Sequence, residues 1–193
     1  HCISSAASDV YKRQLGENIG SSARAMKNFG IEKLRLIEPR DGWPNSSAYA
    51  ISAGADDVLN KINVFKSLEE ATKDISLLFA TTARKRVIGT KSLDVFEAID
   101  KSFHHAVNGG KVGFLFGPEQ SGLSNDDVVQ ADYTISIPLN QNFSSLNLSQ
   151  AVLLICWEWN KVKMSHFKED NLPIKVNKKL KKSTEISNVG DRE

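Results

Sequence analysis

The chain has 193 residues, 40% of them hydrophobic, with 25 basic and 23 acidic side chains and a formal net charge of +2. That length and apolar content allow one well-buried core, so a single domain with appendages is expected. Two cysteines, Cys2 and Cys156, are too few for a disulfide scaffold or a cysteine-built zinc site. The longest apolar run, about seven residues, falls far short of the roughly 20 that span a bilayer, and no segment pairs a basic start with a signal-peptide core. The expected location is cytoplasmic.

The opening "HCISSAASDVYKRQ" lacks an initiating Met and any hydrophobic period, so residues 1–14 are expected to be atypical, foreign sequence, with fold signals beginning at Leu15. From Gly20 to Phe29, Ala23, Met26 and Phe29 recur at spacings of three after Ile19, which predicts a short amphipathic helix stopped by Gly30. Ser21, Arg24, Lys27 and Asn28 fall on its other face. "LRLIEP" reads as a strand and "SAYAISAGADDV" as a helix stopping at Gly54. "SLEEATKD" reads as a helix, "ISLLFATT" as a strand with a polar exit, and "KSLDVFEAIDKSF" has helical spacing. "KVGFLF" is a strand running into the turn "GPEQSGL", "NDDVVQ" a short helix with an acidic first turn, and "YTISIPL" a strand. Last comes "NLSQAVLLICWEWNKV", where Leu148, Ala151, Val152, Ile155 and Trp159 form an apolar stripe, with Asn147 as cap and Gln150 three positions on in a capping box. Strands alternating with helices predict an α/β domain with a mainly parallel sheet flanked by helices.

Ligands of such sheets bind beyond the carboxyl ends of the strands. Three strand exits are polar and specific: "ATTARKR", "GPEQSGL" and "LNQNFSSLNLSQ". Taken singly, the glycines and Pro118 shape turns, Ser145 and Asn147 cap a helix, and Arg84 and Arg86 solubilise a loop. Taken together they would converge on one pocket. The adjacent His104 and His105 have no sequence-linked ligand set, so no metal site is expected.

In order, "NIGSSARAMKNFG", "FLFGPEQSGLSNDDV" and "IPLNQNFSSLNLSQAVLLICWEW" resemble the three signature motifs of the SpoU/TrmH family of RNA 2′-O-ribose methyltransferases, within the SPOUT class and nearest its TrmJ branch. The resemblance covers about residues 15–160. It implies a SPOUT-type fold with a C-terminal trefoil knot, S-adenosylmethionine as cofactor, a tRNA or other structured RNA as partner, and a homodimer with shared active sites and no metal. The reaction it implies is methyl transfer to a ribose 2′-hydroxyl in the tRNA anticodon loop, at a cytidine or uridine in position 32. The alternatives are a catalytically silent RNA-binding module, an unrelated nucleotide-binding enzyme, or 2′-O-methylation of rRNA.

On the family pattern Thr81, Thr82, Ala83, Gly117, Ile137, Ser144, Ser145 and Leu146 line the cofactor, while Asn18 and Arg24 serve the acceptor, with Glu119 and Asn147 beside them. A guanidinium with a pKa above about 12 is a poor base, which favours Arg24 gripping a phosphate and stabilising alkoxide charge. Glu119 has two readings, orienting the cofactor or accepting amides within its own turn. Two departures stand out. The family's apolar first strand before "NIG" is replaced by "SSAASDVYKRQLGE", so a strand is expected to be missing there. After the methyltransferase domain, placed at 15–163, residues 164–193 form a basic tail where family chains continue into a helical extension. From Lys161 onward the charge is about +4, a pattern that recruits RNA or is merely solvated.

Overall fold

The computed structural model describes residues 7–12, 14–82, 89–118, 120–140, 142–143 and 145–169. Among them, seven strands form one sheet in the order β3-β2-β1-β6-β4-β7-β5, every neighbouring pair parallel. The strands are β1 (Ala7–Lys12), β2 (Lys33–Ile37), β3 (Asn63–Phe65), β4 (Leu77–Thr81), β5 (Lys91–Asp94), β6 (Val112–Phe116) and β7 (Tyr133–Ser136). The helices are α1 (Gly16–Asn28), α2 (Ser46–Ser52), α3 (Asp56–Leu59), α4 (Leu68–Thr72), α5 (Val95–Val107), α6 (Asn125–Val128) and α7 (Leu148–Glu169). The α/β class with a mainly parallel, helix-flanked sheet is therefore as expected. None of the helices is long and apolar enough to cross a membrane.

The first strand is a correction. Residues 7–12, set aside as atypical, make β1, which pairs with β2 from Ser8 against Lys33 and with β6 from Ala7 against Val112. The sheet is not missing a strand before the first motif. A strand flanked on both sides is specified by its two backbone ladders, and a run with only Val10 and Tyr11 as strong β-formers gives periodicity nothing to register.

Side chains along the central strands alternate between two cores. Phe79 of β4 and Val112, Phe114 and Phe116 of β6 face one side, where Ile19, Ala23 and Met26 of α1, Phe103 of α5 and Trp159 of α7 cover them. Leu78, Ala80 and Leu115 face the other, beneath Leu68 and Ala71 of α4 and Val128 of α6. This period of two is what a sheet buried on both faces requires. Phe79 stacks on Phe114 at 5.6 Å, and Trp159 meets Phe103 edge-on at 5.6 Å. At the rim, Arg35 of β2 and then Lys111 hold the Asp74 carboxyl well below the usual carboxylate range, which pins the end of α4 to the sheet.

Several boundaries differ from expectation. "KSLD" is not the start of a helix: it is the edge strand β5 on β7, and Asp94 then opens α5 with a capping box to Glu97. The three residues of β3 carry too little pattern to be seen in sequence. Helix α2 ends where expected, because Ala53 and Gly54 both take positive φ. Of the two tryptophans on α7, Trp159 is fully buried and Trp157, two residues before it, is 47% exposed. Trp159→Ala should therefore destabilise the fold by about 3–5 kcal/mol, measured by urea unfolding, whereas a loss below about 1 kcal/mol would show that the core refills the space.

Candidate active site

The first motif begins earlier than its periodicity suggests. Helix α1 starts at Gly16, so "GENIG" lies within the helix. Glycine is a poor helix former, costing about 1 kcal/mol relative to Ala, and a tertiary reason is needed to keep two in one turn-and-a-bit. That reason is α2. A Cβ at Gly16 would lie 2.1 Å from Asn45 Oδ1, and one at Gly20 would lie 2.2 Å from the carbonyl oxygen of Ala48. Asn45 is itself fixed, because its Oδ1 caps α2 by accepting from the Ala48 amide at 3.2 Å. The two glycines thus let α1 lie close on α2, Gly20 against its backbone and Gly16 against the capping side chain of Asn45.

On that fixed helix the polar residues divide into two kinds. Lys27 is structural: its ammonium donates to the Gly54 carbonyl at 2.9 Å and pairs with Asp57 at 2.7 Å, which holds the Asp57 carboxyl below its ordinary value. Arg24 is exposed and makes no hydrogen bond or ion pair among the described residues. Asn18 accepts from Asn147 Nδ2 at 3.1 Å, joining the first motif to the third across 129 residues.

Asn147 does cap α7, though not as a capping box. Its Oδ1 accepts from the Ser149 amide at 2.9 Å and the Ser149 hydroxyl at 2.7 Å, while Gln150 contributes only its backbone amide to the Asn147 carbonyl. With Oδ1 on the helix and Nδ2 on Asn18, one side chain ties the start of α7 to α1.

The three polar strand exits do converge. A cleft of about 410 Å³ is lined by Thr81 and Thr82 after β4, Gly117 after β6, and Ile137, Ser145 and Leu146 after β7. That volume lies within the range of small-ligand sites, about 300–1,000 Å³. Pro118, Gln120, Ser121 and Leu139 also line it and were missed, as were Leu148 and Ala151. The last two were legible as neighbours one turn apart on the first turns of α7. Ala83, Ser144 and Glu119 lie outside the described residues, as do Arg84 and Arg86. Asn18, Arg24 and Asn147 do not line the cleft.

The second motif's turn is tightly constrained. Gly122 has φ +67° and its amide donates to the Pro118 carbonyl at 2.7 Å, closing the turn that "GPEQSGL" encodes. Gly117 is needed for a different reason: a Cβ there would lie 2.4 Å from the Leu123 amide nitrogen and 2.5 Å from the Gly122 carbonyl carbon. The wall of the cleft at this point is two backbone segments in contact. Thr81 sends its hydroxyl to the Leu115 carbonyl at 2.9 Å, and the Thr82 amide donates to the Ile135 carbonyl at 2.9 Å, so β4's exit is fixed to strands on both sides. His104 and His105 stand away from this cleft; His105 meets the Ser76 hydroxyl at 2.7 Å. Among the described residues no group of three metal-ligating side chains assembles.

The sequence pattern of the SpoU rRNA Methylase family matches residues 10–157, which runs from within β1 into the first half of α7. The chain belongs to the SpoU family. It is similar to the tRNA (cytidine/uridine/adenosine-2'-O-)-methyltransferase TrmJ of Pseudomonas aeruginosa, 36% identical over 161 residues, covering 83% of this chain and 61% of that protein. An uncharacterized tRNA/rRNA methyltransferase of Haemophilus influenzae is 38% identical over 141 residues, covering 73% of this chain and 56% of that protein. The chain thus spans little more than half the length of these relatives. Among solved structures, TrmJ from Z. mobilis superposes with a TM-score of 0.77 at 47% identity, covering 80% of this chain and 68% of that one.

In this SpoU chain the α1–α2 contact is testable directly. Gly20→Ala should cost about 1–3 kcal/mol through overpacking, read by urea unfolding, despite the better helix propensity of alanine. A neutral or stabilising result would mean that α1 is free to slide.

Proposed function

We propose that the chain is an S-adenosylmethionine-dependent RNA methyltransferase that modifies a ribose 2′-hydroxyl in the tRNA anticodon loop, at the cytidine or uridine of position 32. The observation that carries this reading is the convergence of the second and third family motifs on one cleft beside Thr81 and Thr82, with Asn147 of the third motif bonded to Asn18 of the first. A tRNA substrate places the reaction in the cytoplasm. The trefoil knot belongs to the same reading, supported by the exits of β6 and β7 facing one cleft, as two passes of a knotted chain would.

The residues present fit the cofactor. The cleft is lined mainly by hydroxyl, apolar and glycine residues, and its wall at Gly117 is so close to the Leu123 backbone that no side chain fits. Thr81, Thr82, Ile137, Ser145 and Leu146 would hold it, with Ala83 and Ser144 between them in sequence. When bound, S-adenosylmethionine supplies an activated methyl on a positively charged sulfur for in-line transfer to the 2′-oxygen. Arg24 grips the phosphate beside the acceptor ribose and stabilises the negative charge that develops on the 2′-oxygen, whose proton leaves to a phosphate oxygen or water. Among the described residues it has no hydrogen-bond or ion-pair partner, which suits the five donors of the guanidinium to this task. Asn18 orients the acceptor side from its contact with Asn147.

The same reading makes the protein a homodimer. Arg24 follows Asn18 by six residues, which places it about 120° round the helix and about 9 Å along it. It points away from the side on which Asn18 meets Asn147 and does not line the cleft, so on this reading a second copy presents its own Arg24 there. A surface for that copy exists: Trp157, Leu153 and Leu154 are exposed on α7 and Phe96 is exposed on α5, with Lys161 over both the Phe96 and Trp157 rings. The lysines of the tail, Lys175, Lys178, Lys179, Lys181 and Lys182, lie outside the described residues and are read as additional phosphate contacts.

Two experiments test this. Methyl transfer from labelled cofactor to bulk tRNA, followed by nucleotide mapping, should give a 2′-O-methyl group at position 32; label confined to rRNA, or none, would overturn the substrate assignment. Arg24→Ala should abolish transfer with cofactor affinity kept within a few fold, and Gly117→Val should lose cofactor binding. Mixed in equal amounts, the two inactive variants should recover about a quarter of wild-type activity, because half the dimers are mixed and each mixed dimer has one complete site. No recovery, with a monomer by sedimentation at the assay concentration, would sink the shared site.

A further inference from the structure

Gln14 is the bulkiest of the buried polar side chains, 1% exposed, and it stands between the end of β1 and the start of α1. An amide removed from water is costly unless its hydrogen bonds are made inside. Its Nε2 donates to the carbonyl oxygen of Gly117 at 2.6 Å, across 103 residues of sequence. Its own carbonyl accepts from the Arg40 amide at 3.2 Å, so its backbone is fixed to the exit of β2 as well.

The partner matters more than the bond length. The peptide unit that joins Gly117 to Pro118 has no N–H, because proline supplies none. Its only polar handle is the Gly117 carbonyl, and Gln14 holds it. On the other side of Gly117, the Leu123 amide and Gly122 carbonyl carbon leave no room for a Cβ. The peptide is thus clamped between a buried side chain and a second strand of backbone, and both residues it joins line the cleft.

We propose that Gln14 is a positioning residue: it sets the orientation of the Gly117–Pro118 peptide in the cofactor cleft and ties that peptide to the acceptor helix, which begins two residues later. Its role for the cofactor rests on reading the cleft as the S-adenosylmethionine site; its hold on the peptide does not. Through Gln14, a shift of the cleft wall on cofactor binding displaces the amino end of α1, which carries Asn18. The arrangement makes the acceptor side sensitive to whether the cleft is filled.

Gln14→Glu and Gln14→Met give the sharpest test, since both keep the length of the side chain. An ionised Glu cannot donate and repels the carbonyl, but a protonated one donates its O–H to it. Burial raises a carboxyl above its ordinary value near 4.3, so the donor returns within an accessible acid range. S-adenosylmethionine affinity, titrated by calorimetry, should fall about tenfold in Gln14→Glu at pH 8, the size of one lost hydrogen bond to a desolvated acceptor. Relative to wild type at each pH it should recover as the pH is lowered to about 5.5. Gln14→Met should show a similar loss with no recovery. A merely structural role would lower the melting temperature in both without a pH-dependent rescue of affinity.

Amide hydrogen exchange of Gly122 and Leu123, without cofactor, separates the two parts of the proposal. Faster exchange in Gln14→Met, together with no cofactor binding by wild type, would overturn the reading of the cleft while keeping the hold on the peptide. Exchange and affinity within twofold of wild type in both variants would overturn the proposal. Should the variants fail to fold, the wild-type protein still decides. The Gln14 side-chain amide protons should exchange slowly in NMR spectra and shift on addition of S-adenosylmethionine, whereas a freely exchanging, unresponsive amide would overturn it.

Discussion

Everything that α1 carries depends on how closely that helix lies against α2. Two missing Cβ atoms, at Gly16 and Gly20, allow the helix to rest on Asn45 and on the Ala48 carbonyl. That contact fixes the height and rotation of α1 over the sheet. From it follow the placement of Asn18 beside Asn147, the turning of Arg24 toward solvent, and the position of Gln14 within reach of Gly117. A helix held by larger side chains would stand farther off, and each of these contacts spans only one hydrogen bond. The motif's glycines therefore act through packing.

The cleft is built by a different rule. At Gly117 its wall is main chain, and several side chains around it hold neighbouring segments in place: Thr81 on Leu115, Gln14 on Gly117, Asn147 on α7 and on α1. A site of this construction recognises its ligand by shape and by amides and carbonyls, so its specificity is hard to read from residue types. It also resists substitution unevenly. Gly117 tolerates no side chain because backbone already occupies the space, whereas exposed Ser145 has room around it.

The sequence disclosed the parts whose signal is local. Turn chemistry gave the "GPEQSGL" bend, with Gly122 at positive φ, and helical period gave α5 and α7 with their buried faces. The convergence of the three strand exits followed from the parallel sheet. What stayed hidden depends on contacts distant in sequence. β1 is defined by two ladders to strands that begin 26 and 105 residues after it, and its own pattern is featureless. The start of α1 at Gly16 is set by α2, β5 by its edge pairing with β7, and the second hydrogen bond of Asn147 by Asn18. The role of Gln14 was illegible for the same reason, since nothing within ten residues of it hints at a carbonyl 103 positions away.

Helix α7 shows how one element serves three surfaces at once. Its first turn borders the cleft through Leu148 and Ala151, its inner face fills the core through Val152, Ile155 and Trp159, and its outer face leaves Leu153, Leu154 and Trp157 in solvent. An ordinary surface helix would carry charge on that outer face. Here the apolar face continues past Trp157 to the ring of Phe29 at 5.9 Å, which caps α1 at its carboxyl end. The exposed apolar surface therefore starts on the helix that borders the cleft and ends on the helix that carries Arg24. A second copy bound across it would be in contact with both, so assembly and completion of the site would be the same event.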